Sequence, residues 1–226
     1  NFKEIIILAG YKGNKIKKKY HNKIINFVRI KCHVEKKRMG TWGSVILNKK
    51  LIKNNFLLIN GDTFFDYNFN NINLNKLQFE INLIITKNHN YKENKKLTGL
   101  KLTRNNTVFK KKNSKYINSG TYFIKHNVLK QYRLKNLSIE NDVIDKKIQL
   151  GKVGGTVSKN FLIDIGTNSN LKYANKFLVN KLKKPAIFLD RDGVINYDYG
   201  YVHKFKDFKL KKGFLDGLKY LSKKDI

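Results

Sequence analysis

Short unbroken apolar runs, set between longer polar or amphipathic stretches, constrain this chain more than any other feature. Strand candidates fall at 4–9, 28–34, 56–60, 81–86, 99–102, 116–124, 153–157 and 186–189, and most are unbroken apolar runs rather than alternating ones, as expected of strands whose two faces are both covered. Helix-period patterns fall at 42–51, 127–132, 141–150, 169–182 and 213–221. Strands alternating with helices predict an α/β protein with a mostly parallel sheet and helical crossovers. The single proline, Pro185, follows the basic helix at 169–182 and precedes an apolar run. It marks the expected domain boundary, between 1–180 and 185–226.

Charge is the next constraint. The chain carries 48 Lys and Arg against 16 Asp and Glu, a formal +32, the balance usual for partners rich in phosphate. Only 5 of those cations are Arg, and the 43 Lys come with 30 Asn and 24 Ile. Those three residues can all be encoded with A and T alone, so the excess reads as the drift of an AT-rich gene. Arginine suits bidentate reading of guanine and planar phosphate clamps, and its scarcity argues against nucleic acid as the principal partner. The one cysteine, Cys32, excludes an intrachain disulfide framework and points to a cytoplasmic protein. No apolar stretch approaches the ~20 residues of a membrane span, so no membrane partner is expected. The five histidines share no zinc-ligand spacing with one another or with Cys32.

The run Ile187-Phe-Leu-Asp-Arg-Asp-Gly-Val-Ile-Asn196 ends an apolar segment in two aspartates, with glycine next. At the carboxyl end of a strand, period-two spacing turns Asp190 and Asp192 toward one cavity, where both can hold a cation. One carboxylate can attack phosphorus to form an aspartyl-phosphate while the other protonates the leaving oxygen and later activates water. Mg²⁺ would offset their repulsion from an anionic substrate. A solvated strand-end turn is the alternative. A calcium loop does not fit, because apolar Val194 and Ile195 follow Gly193 directly.

The stretch from Pro185 to His203, with Phe208 and Lys212-Gly-Phe214, is similar to the start of the heptose bisphosphate phosphatases of the haloacid dehalogenase superfamily. That resemblance implies that Asp190 is the nucleophile, that Asp192 is the acid/base, and that Asp198, Tyr199, Gly200 and Tyr201 contact the sugar phosphate. The superfamily also uses a Ser/Thr, a Lys and a further acid from later strands, which are expected downstream of Ile226.

Two more apolar runs end in aspartate: Phe56-Leu-Leu-Ile-Asn-Gly-Asp-Thr63 and Phe161-Leu-Ile-Asp-Ile-Gly-Thr167. Asp62 and Asp164 could converge on one Mg²⁺ and a polyphosphate, although Gly-Asp after a strand also serves as a plain turn. Together with Arg38-Met-Gly-Thr-Trp-Gly43, Ile117-Asn-Ser-Gly-Thr-Tyr-Phe123 and Ser138-Ile-Glu-Asn-Asp-Val-Ile144, these segments resemble the sugar-1-phosphate nucleotidyltransferases, especially the heptose and mannose-1-phosphate guanylyltransferase branch. The resemblance implies that Asp62 and Asp164 hold Mg²⁺, that Gly40 and Thr41 approach the nucleotide base, and that Asn118, Gly120 and Glu140 line the sugar pocket. Lys112 falls where the family places a sugar-phosphate lysine, with Lys111 standing in place of a glutamate. Glu140 and Asp142 could instead serve only the positive end of the following helix.

The implied fold is a Rossmann-like, mostly parallel nucleotidyltransferase sheet followed by the first strand and helix of a haloacid dehalogenase-like domain. Tyr11-Lys-Gly-Asn14 departs from the family's Gly-x-Gly-x-Arg loop, so the first strand and phosphate loop are expected upstream of Asn1. The implied reaction is in-line attack by a sugar 1-phosphate on the α-phosphorus of a nucleoside triphosphate, with pyrophosphate leaving. The expectation is part of a bifunctional enzyme of nucleotide-heptose synthesis, inactive as this stretch alone, with nucleoside triphosphate and sugar phosphates as partners. A phosphatase with a degenerate N-terminal binding module, and a non-catalytic basic phosphate or nucleic-acid binder, are the alternatives. The sequence leaves the base, the sugar and the number of subunits open.

Overall fold

The computed structural model describes residues 2–69, 72–87, 98–182, 187–200 and 202–223. It divides into two compact units, Asn1–Thr167 and Asn168–Ile226, each described by itself.

The first unit opens with β1 (Glu4–Ala9), α1 (Gly13–Tyr20), the short β2 (Ile24–Ile25) and β3 (Val28–Val34). β1 and β3 run parallel, with Ile5 opposite Ile30 and Ile7 opposite Cys32, and β2 folds back antiparallel on β3. Gly13 begins the crossover helix where a Cβ would lie 2.8 Å from Val34 Cγ1 and 3.1 Å from Ala9 Cβ. Only a residue without a side chain lets the helix start this close to the sheet.

The larger sheet has the order β10 (Val153–Ser158), β6 (Ile81–Lys87), β9 (Tyr116–Ile124), β7 (Thr98–Leu102), β8 (Val108–Lys112), with β4 (Phe56–Ile59) also paired to β9. A separate ladder joins β5 (Thr63–Phe65) to β11 (Leu162–Asp164). The α/β class holds, but the pairing is mixed rather than mostly parallel. Among the described residues, parallel ladders are confined to β1–β3 and β10–β6, while β4, β6 and β7 all run antiparallel to β9. An unbroken apolar run reports that both faces of a strand are covered and carries no information about its direction.

The core lies between this sheet and the helices on it. Trp42, Val45 and Ile46 of α2 (Gly40–Leu47) pack with Ile81, Leu83 and Ile85, with Tyr122 and Ile124, and with Ile139 and Val143. Each such side chain contributes about 1.5–3 kcal/mol on full burial. The expected helix at 42–51 is α2 followed by a 3₁₀ turn, Lys49–Leu51, and that at 127–132 is a 3₁₀ turn, His126–Gln131. The one at 141–150 is a wide π-type turn, Ile139–Ile144, running into α3 (Asp145–Gln149).

One buried cation lies at the edge of this core. Lys147 is nearly inaccessible and donates to Glu80 and to Gln131 Oε1 (2.7 Å), while Lys152 reaches Glu80 at 3.0 Å. Burial pushes the Glu80 carboxyl up, but hydrogen bonds from Lys147, Lys152 and Gln131 outweigh it and bring it from near 4.5 to about 2. A depressed carboxyl stabilises the fold fully above its unfolded value and loses that contribution as pH falls toward the folded one. Glu80→Ala strands the buried ammonium and is expected to cost about 3 kcal/mol. In urea melts, mutant and wild type should differ most near neutral pH and converge between about pH 4.5 and 2.

In the second unit, α4 (Asn168–Leu182) and α5 (Phe214–Lys223) occupy the two expected helices, with a 3₁₀ turn, Phe205–Asp207, between them. The strand expected at 186–189 is not formed. Ala186 and Pro185 lie outside the described residues, and Ile187, Phe188 and Leu189 are exposed, Phe188 by 96%. A strand exists through backbone hydrogen bonds to a neighbour, and no ladder reaches these three residues among those described. No helix among the described residues is long and apolar enough to cross a membrane.

Candidate functional site

β4 runs out at Ile59, and Asn60 and Gly61 turn the chain through Asp62 into β5. β11 ends on Asp164 opposite Thr63, and the Ile165 amide donates to the Asp62 carbonyl at 2.7 Å. The small antiparallel ladder thus brings together two aspartates far apart in sequence. Both carboxylates close over Gly166: a Cβ there would lie 3.0 Å from Asp164 Oδ1 and 3.3 Å from Asp62 Oδ2. The Gly166 amide donates to Asp164 Oδ1 at 2.7 Å, and both acids are open to solvent. Two exposed carboxylate oxygens beside one glycine suit a hard divalent cation, which takes one or two protein carboxylates and completes its shell with phosphate and water. Among the described residues no group of three His, Cys, Asp or Glu gathers anywhere as a fuller cage.

A second part of the site grows from an irregularity in β9. Leu83 faces Tyr122 and Ile85 faces Asn118, so Ser119, Gly120 and Thr121 span what Ile84 alone spans on β6. Such bulges re-aim a strand beside functional sites. Gly120 sits in it at φ +72°, and a Cβ there would lie 2.8 Å from Asn60 Nδ2. The Asn60 amide donates to the Gly120 carbonyl at 3.0 Å, which ties the bulge to a residue two before Asp62.

From the bulge a chain of hydrogen bonds leads to Glu140. The Gly120 amide donates to Asn118 Oδ1 (3.0 Å), Asn118 Nδ2 to the Tyr122 hydroxyl (2.9 Å), and that hydroxyl to Glu140 Oε1 (3.0 Å). Ser138 Oγ donates to the other carboxylate oxygen, Glu140 Oε2, at 3.1 Å. Burial, then the Glu140 charge, push the Tyr122 phenol up, so it stays protonated. Asp142 takes the role at the turn's start, its Oδ2 accepting from the Ser138 amide at 2.9 Å. The turn is wide, with the Asp145 amide bonded to the Glu140 carbonyl, a geometry frequent at functional sites.

Gly40, at φ +69°, begins α2 where a Cβ would lie 2.5 Å from the Leu137 carbonyl oxygen. The Leu137 amide donates to Met39 O (2.9 Å) and the Trp42 amide to Leu137 O (3.0 Å), so the first turn of α2 rests on the backbone just before Ser138 and Glu140. Thr41 stands exposed beside it. Lys112 ends β8 opposite Thr98, exposed and outside this hydrogen-bonded chain. Asn60, Tyr122 and Ser138 were not singled out by sequence reasoning. The signal for Tyr122 was its parity with Asn118 and Gly120, at steps of two along one strand. Two shallow hollows of about 310 and 360 Å³ lie elsewhere, along the β2–β3 hairpin around Ile24 and Arg29.

In the second unit, Arg191 grips Asp192 through both carboxylate oxygens (Nε 2.9 Å, Nη2 2.7 Å), and buried Asn196 adds a bond at 3.0 Å. The Arg191 hydrogen bonds first, then that of Asn196, hold the Asp192 carboxyl below its usual range. Asp190 is exposed. Both Asp192 oxygens are engaged by Arg191, which would have to release one of them for a cation shared with Asp190. Asp198 Oδ1 accepts from the Gly200 amide at 2.9 Å, and Tyr199 stacks on Tyr197 at 6.2 Å with Lys209 Nζ 6.0 Å from its ring. Tyr201 lies outside the described residues.

Compared with known protein families, residues 1–181 match Nucleotidyl transferase. The chain belongs to this family. This nucleotidyl transferase is 26% identical over 182 residues to the D-glycero-alpha-D-manno-heptose 1-phosphate guanylyltransferase of Campylobacter jejuni, covering 79% of each chain. Its fold is similar to that of HddC from Yersinia pseudotuberculosis complexed with GMP-PN, with a TM-score of 0.63 and 21% identity over 80% of this chain and 79% of that one. It is also 58% identical over 38 residues to the D-glycero-beta-D-manno-heptose-1,7-bisphosphate 7-phosphatase of Haemophilus influenzae, which is 17% of this chain and 21% of that protein. The chain therefore spans about a fifth of the phosphatase relatives' length.

Proposed function

We propose that the chain transfers a guanylyl group from the nucleoside triphosphate to a heptose 1-phosphate. The observation that carries this reading is the convergence of Asp62 and Asp164 over Gly166, joined through Asn60 and the Gly120 bulge to Asn118 and Glu140. The guanylyltransferase relative over most of the chain supports the choice of base and sugar.

Attack of a sugar 1-phosphate oxygen on the α-phosphorus needs no covalent intermediate, so the residues act by position and charge. Asp62 and Asp164 would hold Mg²⁺, which when bound neutralises charge developing on the phosphates. Glu140 accepts one protein hydrogen bond on each oxygen and keeps lone pairs for sugar hydroxyls, while Asn118 keeps one N–H to donate. Gly40 and Thr41 would border the base and Lys112 the sugar phosphate. Full-length protein given GTP, heptose 1-phosphate and Mg²⁺ is expected to release pyrophosphate and form the nucleotide sugar, with mannose 1-phosphate a poorer acceptor. Absence of both products overturns the reading.

A second activity is favoured by the short match to the phosphatases. In it Asp190 attacks the phosphorus of heptose 1,7-bisphosphate, Asp192 acts as acid and base, and Asp198, Tyr199, Gly200 and Tyr201 contact the sugar phosphate. Asp192 can give up a proton only once Arg191 lets go of it, so this role requires the Arg191 clamp to open. Phosphate release that survives Asp190→Asn in the full-length protein would sink it.

A further inference from the structure

We propose that Tyr122 is a positioning residue for the sugar: a core phenol that sets the orientation of both Asn118 and Glu140 without touching substrate. This rests on the sugar 1-phosphate reading above and goes beyond it by naming the group that orders the pocket. Tyr122 has no accessible surface, and its ring belongs to the main core cluster with Leu83, Ile124 and Ile139. Its hydroxyl is therefore fixed by packing rather than by the ligand.

The direction of the whole chain of bonds follows from one charge. Glu140 as a carboxylate can only accept, so the phenol proton goes to Glu140 Oε1 (3.0 Å). The phenol oxygen is then left to accept, and Asn118 must turn its NH₂ toward it (2.9 Å). That choice puts Asn118 Oδ1 against the Gly120 amide (3.0 Å), completing a one-way series from the bulge to the acid. Removing the hydroxyl leaves Glu140, among the described residues, with the Ser138 bond and Asn118 with the Gly120 bond, so each loses one of the two contacts that hold its side chain. The raised phenol pKa agrees with a group that donates at every working pH.

Tyr122→Phe keeps the ring and its packing. In full-length protein it is expected to raise KM for the sugar 1-phosphate about 10- to 100-fold, the loss of a hydrogen bond to a charged group. The KM for the triphosphate and kcat should stay within about threefold, while the same lost bond should lower the melting temperature by about 3–10 °C. On a Glu140→Gln background the same change should add less than about threefold, because the two side chains act as one unit. Equal rises in both KM values, or effects that multiply across the two variants, overturn the proposal. A readout independent of turnover separates it from the transfer reading: the Asn118 side-chain amide resonances should shift and exchange faster in Tyr122→Phe. Unchanged resonances sink the positioning role even if transfer is real, whereas shifted resonances in a protein without transfer uphold the positioning and sink the reaction.

Discussion

Asp62→Asn in the full-length protein is expected to lower nucleotidyl transfer about 1,000-fold, the scale on which removal of a charge-stabilising group acts, with the fold left within about 1 kcal/mol of wild type. Asp62 is exposed, and the bond that anchors the turn runs from the Ile165 amide to the Asp62 backbone carbonyl, which asparagine retains. What asparagine removes is the negative charge facing Gly166 beside Asp164. The proposed cation then keeps a single protein carboxylate, so its apparent affinity should fall with the rate. Raising Mg²⁺ from about 1 to about 50 mM should recover part of the lost activity in Asp62→Asn, since two ligands to one ion act together. Adding Asp164→Asn should cost far less than its own single effect. A variant that keeps more than about a tenth of wild-type turnover, or two substitutions whose effects multiply fully, would remove Asp62 and Asp164 from the centre of the reaction.

How far the sequence carried this site depends on which interaction fixes each part. β1 and β9 have the boundaries their apolar runs predict, and β3 those of its alternating Val28-Arg-Ile-Lys-Cys-His-Val34 pattern, because these signals lie within the segment itself. β5 and β11 are three residues each; β11 ends on Asp164 as its apolar run suggested, whereas β5 was not predicted. They exist because each is the other's hydrogen-bonding partner, and pairing between segments so distant leaves no local pattern. The motifs raised the expectation that Asp62 and Asp164 converge, and the ladder that sets Asp164 opposite Thr63 is how they do so. The absent strand at 187–189 is the converse case: an apolar run with no ladder stays irregular and exposed. Tyr122 was hidden for another reason. A tyrosine inside a buried run reads as core filling, and its hydroxyl acquires a role only because the wide turn of Ile139–Ile144 delivers Glu140 to it.

The bulge that joins the two halves of the site gives the second large effect. Gly120→Ala must hold φ near +72°, a conformation costing an L-residue about 1–2 kcal/mol. Its methyl would also start 2.8 Å from Asn60 Nδ2 and 3.2 Å from Asn60 Cβ. Asn60 cannot simply retreat, because its own amide is bonded to the Gly120 carbonyl at 3.0 Å. Strain and crowding together should lower stability by about 2–3 kcal/mol, readable as a lower urea midpoint. The same displacement pulls on both sides at once, since the Gly120 amide holds Asn118 while its carbonyl holds the approach to Asp62. Transfer should therefore fall about 100-fold through kcat as well as through KM for the sugar phosphate, as misplacement of reacting groups by about 1 Å does. That pattern differs from Tyr122→Phe, which leaves the backbone bonds of the bulge in place and acts on the sugar alone. Gly61→Ala is the matched comparison for the fold: its Cβ would meet nothing within 4 Å, so its stability should match wild type to within about 1 kcal/mol. If Gly120→Ala lowered stability no more than Gly61→Ala, the crowding against Asn60 would not be holding the bulge. If it weakened only sugar binding, the link from the bulge to Asp62 would carry no catalytic consequence.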